Sequence, residues 1–209
     1  MNILDVLLVL LNFFFLDRDP RKCAQYHGDK HLNKMQLEYA QIASTAYRFV
    51  SAAAADETVY RATHRNHPVV LWACQSRAHV MAVIKVGLAL AEEKKERALT
   101  RNALHPGKPW KTTHASTPVL EFIRDHMPDA SQFEGGDTWT DPPACMPEKY
   151  RRSCADIVEC YRLYYAGDKV SVTGLAWEPY AREPWFIQGC KRRLHEKEEQ
   201  EPLSKRICI

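Results

Sequence analysis

The chain has 209 residues, the length of a single domain of ordinary size. Its composition, 45% apolar and 26% charged, is that of a globular protein with a sizeable buried core and not that of a disordered chain. A net charge of +3 is too small to establish a polyanionic partner, and seven scattered cysteines without a C-x-x-C pair favour neither a disulfide framework nor a zinc ribbon. The cysteine usage therefore predicts a reducing, intracellular compartment.

The N-terminal segment from Ile3 to Leu16 is apolar except for Asp5 and Asn12. It is shorter than the roughly 20 residues that span a bilayer. It also has no basic region before it and no small-residue cleavage site before Asp17, unlike a signal peptide. We therefore expect a buried helix or strand rather than a membrane anchor, and no membrane partner.

Two long helices are predicted at the centre of the fold. Asp19 and Pro20 form a helix-start signal, and apolar residues then recur every three or four positions from about Asp29 to Ala54. A second long helix is predicted from Asn66, as its cap, to about Ala98, apolar on most sides. The charged run 92–97 is interpreted as its solvated end.

The rest of the chain is predicted as loops and shorter helices. Residues 102–110 form a loop, a helix covers about 118–126, and a final helix covers about 153–166 with Gly167 as its stop. The charged, aromatic-free residues 191–209 are expected to form a disordered tail. The predicted fold is mainly α: a compact single helical domain over residues 1–190, with two long central helices and long loops.

Ionisable side chains crowd the start of the first long helix. Residues 30, 34 and 38 are successive four-residue neighbours on a helix, and the neighbouring positions add histidine, carboxylate and amide groups. A carboxylate beside an amine can hold it charged for anion binding, or stabilise a developing sugar cation while an amine attacks as nucleophile. The predicted catalytic residues are Glu38, Lys34, Lys30 and His31, and the predicted substrate contacts on this helix and its entrance are His27, Asp29 and Gln41.

The same pattern is open to two other interpretations. Lys34 and Glu38 can form an ordinary surface ion pair worth about 0.3–0.5 kcal/mol. Alternatively, His27, Asp29 and His31 can be metal ligands, although their spacing matches no recognised metal motif.

A second cluster precedes the second long helix. Free amides at a helix start favour anions, and charged or polar side chains there add donors. If this segment folds beside the first long helix, the two clusters form one basic, histidine-rich cleft. The alternative is that Asn66 merely caps the helix and the histidines are exposed. The predicted substrate contacts here are His64, Arg65, Asn66 and His67.

Several segments carry a resemblance that covers most of the chain. They resemble a group of phage and large-virus proteins whose function is largely unassigned, which implies the cytoplasm or nucleus of a host cell. The segments are Phe14–Pro20, Ala24–His31 with Lys34, Met35 and Glu38, then Thr63–Pro68 with Trp72, Met146–Tyr150, Tyr161–Tyr165 and Pro184–Phe186.

A shorter stretch is similar to a family of known activity. Asp29-Lys30-His31-Leu32 followed by Glu38-Tyr39 resembles the first-helix pattern of pyrimidine-dimer DNA glycosylase/AP lyases, which are compact helical proteins. In that family an N-terminal amine attacks the sugar C1′ and a first-helix glutamate assists. The resemblance implies that Glu38 is the catalytic carboxylate. The extra apolar segment after Met1 departs from the family. Either Lys30 or Lys34 is then the nucleophile, or the chemistry differs, for example base modification or phosphodiester cleavage.

The sequence as a whole predicts an enzyme acting on DNA, of the glycosylase/lyase-like repair or base-modifying kind, without a cofactor. One alternative is a non-catalytic nucleic-acid-binding or virus–host interaction protein. Another is a metal-dependent nuclease or hydrolase. Nucleic acid is the expected partner, because basic residues cluster between Arg18 and Lys34. DNA is favoured only by the resemblance to the glycosylase/AP lyases, since the residues themselves do not distinguish DNA from RNA. The oligomeric state is left open.

Overall fold

A computed structural model describes residues 11–51, 57–170, 175–177 and 181–189, and these residues contain helices and loops but no strand. The mainly α prediction is confirmed. Residues 185–189 are also helical, and single turns of 3₁₀ and π helix occur at Ala130–Gln132 and Tyr165–Val170. The α-helices are α1 Pro20–Gln25, α2 Asp29–Val50, α3 Pro68–Gln75, α4 Arg77–Leu104, α5 Thr117–Asp125, α6 Glu148–Arg151 and α7 Ile157–Tyr164.

Helices α2 and α4 are the two long central helices, and they pack against each other. The start of α2 at Asp29 is as predicted, but the helix ends at Val50 and not near Ala54, because Ser51 already has an extended backbone (φ −88°, ψ 135°). Its apolar stripe is fully buried, which fixes the face that α2 turns toward the core. This stripe comprises Leu32, Met35, Tyr39, Ile42, Ala43 and Ala46.

The second long helix is present as α4, but its predicted bounds are wrong, because residues 68–104 form two helices, α3 and α4, bent by 118° at Ser76. Ser76 has an extended backbone (φ −144°, ψ 145°), and its Oγ accepts the N–H of Ala78 and donates to the carbonyl of Gly136. The N–H of Gly135 also donates to the carbonyl of Gln75, so a distant loop supplies the partners that stabilise the break. A capping serine explains the new helix start.

The end of α4 also differs from the prediction. The charged run 92–97 is not the solvated end of the helix, since α4 continues to Leu104 and replaces the first part of the predicted loop 102–110. Arg97 is only 2% exposed. It lies seven residues after Leu90, itself seven after Val83, so it continues the buried stripe of α4.

The last part of the chain differs from the prediction in the bounds of its helices. The final helix begins at Ile157 rather than Ser153, because the Asp156 carboxylate accepts the N–H groups of Val158 and Glu159 as a cap. Gly167 does not end the helical path, which continues as a π turn to Val170. The short helix α6 was not predicted. The charged tail, 191–209, lies outside the described residues.

The N-terminal segment is buried as expected, over its described part, residues 11–16. It is neither helix nor strand there, and residues 3–10 lie outside the described part. The hydroxyl of Tyr39 donates to the carbonyl of Phe14 at 2.8 Å, which fixes this segment against α2. Among the described helices no single one is long and apolar enough to cross a bilayer, although α3 and α4 together meet that criterion as a bent pair.

Candidate active site on helix α2

Glu38 is the centre of the candidate site. The residue as a whole is 6% exposed, and its Oε2 accepts the main-chain N–H of Asn12 at 3.0 Å. The amide nitrogen Nδ2 of Asn12 lies 3.5 Å from Oε1, and Lys34 Nζ lies 3.4 Å from the same oxygen. The buried N-terminal segment and one turn of α2 therefore hold the carboxylate between them.

The Lys34–Glu38 pair is not an ordinary surface pair. The Lys34 side chain is half exposed, whereas that of Glu38 is 8% exposed. Burial raises the pKa of Glu38, and the positive charge of Lys34 and the donors of Asn12 only partly oppose this. A carboxylate with a raised pKa beside a solvent-accessible amine is suited to accept a proton from that amine.

His31 lies on the same helix but is buried among aromatic rings. It stacks on Phe14 with 5.2 Å between ring centroids, and its Nδ1 lies 2.9 Å from the hydroxyl of Tyr165. That hydroxyl also accepts the N–H of Gly28 at 3.0 Å, which ties the start of α2 to the π turn. Burial first, and then nearby positive charges, lower the pKa of His31 to about 3. The ring is therefore neutral near pH 7.

A second cation lies close to His31. Lys169, in the π turn, has its Nζ 5.0 Å from the ring centre of Tyr164 and 6.0 Å from that of Phe14. Its charge and that of Lys34 both contribute to the lowered pKa of His31. The sequence did not single out Lys169, because only the tertiary fold brings residues so distant along the chain to α2.

His27 does not reach solvent. It is fully buried, and its Nδ1–H donates to the carbonyl of Cys23 at 2.7 Å. Its Nε2 is buried with no hydrogen-bond partner in the described part of the chain. Burial lowers the pKa of His27 to about 4, so it is neutral near pH 7. This position fits a core residue, not the predicted substrate contact.

Asp29 is also committed to structure rather than to substrate. Arg97 donates from Nη1 to Asp29 at 2.9 Å and to the carbonyl of His27 at 3.0 Å. The same guanidinium donates to the carbonyl of Gln25 and to the carboxylate of Glu93. Arg97 thus joins α4 to the turn that starts α2. Burial nevertheless raises the pKa of Asp29, opposed by Arg97.

The metal-ligand interpretation finds no support in this geometry. His27 is bonded to a main-chain carbonyl, Asp29 to Arg97 and His31 to a tyrosine hydroxyl. No group of three or more histidine, cysteine or carboxylate side chains in the described ranges is arranged to hold a metal ion. The five cysteines described there are free thiols.

The second cluster does fold beside α2. Thr45 of α2 exchanges hydrogen bonds with the main chain of Thr63 and also donates to the carbonyl of Gln41. His64, half-buried, adopts a positive φ of 51°, and Arg65 and Asn66 are exposed.

His67 differs most from its prediction. It replaces Asn66 as the cap of α3, accepting the N–H of Val69 on Nδ1, and it is fully buried. Burial lowers the pKa of His67 to about 4. Its Nε2 has no partner among the described residues. The predicted basic, histidine-rich cleft therefore loses His67 and keeps the half-buried His64 with the exposed Arg65 and Asn66, and the alternative of Asn66 as cap with exposed histidines is wrong for His67.

Comparisons with known proteins add nothing to this geometry. The sequence matches no profile of a known protein family, no curated protein and no solved structure. The function must therefore be argued from the site itself.

Proposed function

We propose that this protein is a DNA-acting enzyme of the glycosylase/lyase kind, with Glu38 as its catalytic carboxylate. The observation that carries the proposal is the arrangement of Glu38: a nearly buried carboxylate with a raised pKa, 3.4 Å from the half-exposed amine of Lys34. Proton removal and stabilisation of a sugar cation are the two tasks that this chemistry requires.

The proposed step is a displacement at the sugar C1′. Glu38 takes a proton from the attacking amine, whose nitrogen forms a bond to C1′ while the bond from C1′ to the base breaks. The base leaves with the bonding electron pair and takes the proton that Glu38 had accepted. The attached nitrogen then gives Glu38 a second proton, which passes to O4′ as the C1′–O4′ bond opens with its electron pair on oxygen. The products are a protonated imine between the amine and C1′ and a hydroxyl group at O4′. Carboxylate stabilisation of the cationic C1′ is worth most where water is excluded, as at Glu38.

Three nitrogens lie within 3.5 Å of the Glu38 carboxylate, and the side-chain Nδ2 of Asn12 is an amide that cannot attack. Lys34 supplies an amine, whereas the main-chain nitrogen of Asn12, 3.0 Å from Oε2, is an amide and cannot attack. In the glycosylase/AP lyase family that the sequence resembles, the nucleophile is an N-terminal amine near the first-helix glutamate. A chain beginning at Asn12 would place such an amine beside Glu38. We assign Lys34 as the nucleophile of the full chain.

Borohydride trapping tests this assignment. The protein is incubated with duplex DNA containing an abasic site or a pyrimidine dimer, reduced, and digested for peptide mass spectrometry. We expect an adduct on Lys34 in the full chain. A chain made to begin at Asn12, by a protease that leaves no extra residue, is run in parallel and should add an adduct on its new amine.

The matched controls separate chemistry from folding. Glu38→Gln should lower adduct formation by about 100-fold or more, whereas Glu148→Gln, in the exposed pair with Arg152, should have no effect. Lys34→Ala should remove the adduct and Lys95→Ala, an exposed lysine on α4, should not. No adduct on either DNA from any of these chains would remove the lyase proposal.

A non-catalytic nucleic-acid-binding role is the second candidate. It is favoured by exposed basic residues at the starts of α1 and α2, namely Arg21, Lys22 and Lys30. In that case binding should weaken steeply with salt. Glu38→Gln should then leave binding unchanged or slightly stronger, since it removes a negative charge, and no DNA product should form.

A further inference from the structure

A cavity of about 680 Å³ lies at the start of α2 and is bounded by α2, α4 and the loop that follows α4. Lys30 and Asn33 line it from α2, Lys94 from α4, and Trp110 and Lys111 from the loop. This volume suits a ligand of small-molecule size. Lys34 and Glu38 do not line this cavity. Lys30, which the sequence grouped with them as a predicted catalytic residue, does line it.

The cavity carries an excess of positive charge. Three lysines line it, and the carboxylate among its lining residues, Asp29, is ion-paired with the buried Arg97 at 2.9 Å. Burial lowers the pKa of Lys94, and the charge of Lys111 lowers it further. Lysines that repel one another in a partly enclosed cavity are stabilised when an anion binds between them.

The loop side of the cavity is built to present an aromatic ring. Asn102 fixes the main chain of Trp110 from both sides, accepting its N–H at 2.7 Å and donating to its carbonyl at 2.9 Å. The guanidinium of Arg101 lies 4.6 Å from the centre of the Trp110 ring. Lys94 donates to the carbonyl of Thr113 at 3.0 Å, which ties the same loop to α4. A tryptophan held in place is a surface on which a base can stack.

We propose that this cavity binds a nucleotide unit, with its phosphate among Lys30, Lys94 and Lys111 and its base against Trp110. A cluster of ammonium groups is suited to a phosphate, and an adjacent aromatic ring is suited to the attached base. The unit is either a free mononucleotide or the 5′-phosphorylated end of a strand. The proposal goes beyond the chemistry at Glu38 and holds whether or not the protein cleaves DNA.

Titration calorimetry of the full chain tests the proposal. The ligands are thymidine 5′-monophosphate, thymidine, inorganic phosphate, and a short single strand with or without a 5′-phosphate. The nucleotide or the phosphorylated strand should bind at least tenfold more tightly than thymidine and inorganic phosphate. The stronger of the two identifies the source of the unit.

Variants locate the binding. Lys111→Ala should weaken binding about tenfold, the loss expected for one charge-assisted hydrogen bond, and Trp110→Ala should weaken it by a similar factor. Lys95→Ala, the exposed neighbour of Lys94 outside the cavity, should have no effect. Equal losses in Lys111→Ala and Lys95→Ala, equal binding of phosphate and nucleotide, or no binding of any ligand would overturn the proposal. None of these outcomes depends on adduct formation at Lys34.

Discussion

Two carboxylates on helix α2, Asp29 and Glu38, have opposite surroundings. Asp29 is held by Arg97, which is 2% exposed and is also bonded to two main-chain carbonyls and to Glu93. Glu38 is paired with Lys34, whose side chain is 53% exposed. The sequence groups both carboxylates in one ionisable cluster. In the structure, Asp29 has a buried partner, Arg97, in an arrangement we call the Arg97 clamp, whereas Glu38 has a half-exposed partner, Lys34.

The difference shows which of the two can change partners. Removing either member of the Arg97 clamp leaves buried groups without partners, so the clamp is suited to hold the fold. Lys34 can leave Glu38 for a substrate at little cost, because water solvates the lysine in either position. The first turn of α2, at Asp29, therefore stabilises the fold, and the proposed chemistry lies one to two turns later, at Lys34 and Glu38.

Arg97→Ala should have the largest effect on stability. It leaves the Asp29 carboxylate and the carbonyls of Gln25 and His27 without their donor, which should lower the free energy of unfolding by about 3–5 kcal/mol. Urea denaturation measures this loss. The control is Arg152→Ala, which breaks the exposed pair with Glu148 and should cost less than about 1 kcal/mol. Similar losses in both variants would contradict the clamp.

Acid should destabilise the folded chain through the buried histidines of this region. The pKa of His27 is about 4 when folded and about 6.5 when unfolded, so the unfolded chain binds more protons between these values and stability falls with falling pH. The expected loss from His27 is about 2 kcal/mol between pH 6.5 and 5.

The raised pKa values of Asp29 and Glu38 make stability rise with falling pH, which opposes the effect of His27. Both carboxylates are present in the wild type and in His27→Gln, so the difference between the two proteins reports the contribution of His27. Denaturation at pH 7.5, 6.5, 5.5 and 5 should give a shallower pH dependence for His27→Gln than for the wild type. Parallel curves would mean that His27 is not held neutral. His105→Gln, at an exposed position, is the control.

Tyr165→Phe should have a smaller effect. It removes the hydroxyl that accepts the N–H of Gly28 and bonds to His31, and leaves that buried N–H without a partner. The expected loss is about 1–2 kcal/mol. Denaturation measures the loss, and an NMR titration should show His31 still neutral above pH 5. No loss of stability would mean that water replaces the hydroxyl.

Glu38→Gln should have the smallest effect on stability, below about 1 kcal/mol. The glutamine keeps an oxygen for the N–H of Asn12, and Lys34 returns to solvent. The same denaturation measurement checks this. A loss as large as that of Arg97→Ala would make Glu38 part of the structural clamp and would remove the contrast between the two carboxylates.

The helices predictable from the sequence are those with local signals. The apolar stripe marks α2, whose start at Asp29 was predicted correctly. Asp19 and Pro20 were identified as a turn or helix-start signal, and they begin α1, which was not predicted as a separate helix. The break at Ser76 was not predictable, because Gly135 and Gly136, which supply its partners, are distant along the chain. The burial of Arg97 could have been predicted from one feature, its position seven residues after Leu90 on the apolar stripe of α4.

The candidate site was only partly predictable for the same reason. The four-residue spacing of Lys34 and Glu38 brings the pair together. Spacing cannot show that Asn12 completes the carboxylate's surroundings, or that His27 and His67 are buried, because these depend on tertiary packing. The lysines of the cavity at the start of α2, Lys30, Lys94 and Lys111, come from three separate segments and share no local sequence pattern.

The most direct test of the central claim compares Glu38→Gln with Glu148→Gln in one borohydride trapping experiment, at equal folded concentration. Our account predicts an adduct on Lys34 in the wild type and in Glu148→Gln, and at least about 100-fold less in Glu38→Gln despite near-normal stability. Equal adduct in all three proteins, or an adduct only on lysines far from Glu38, would contradict it.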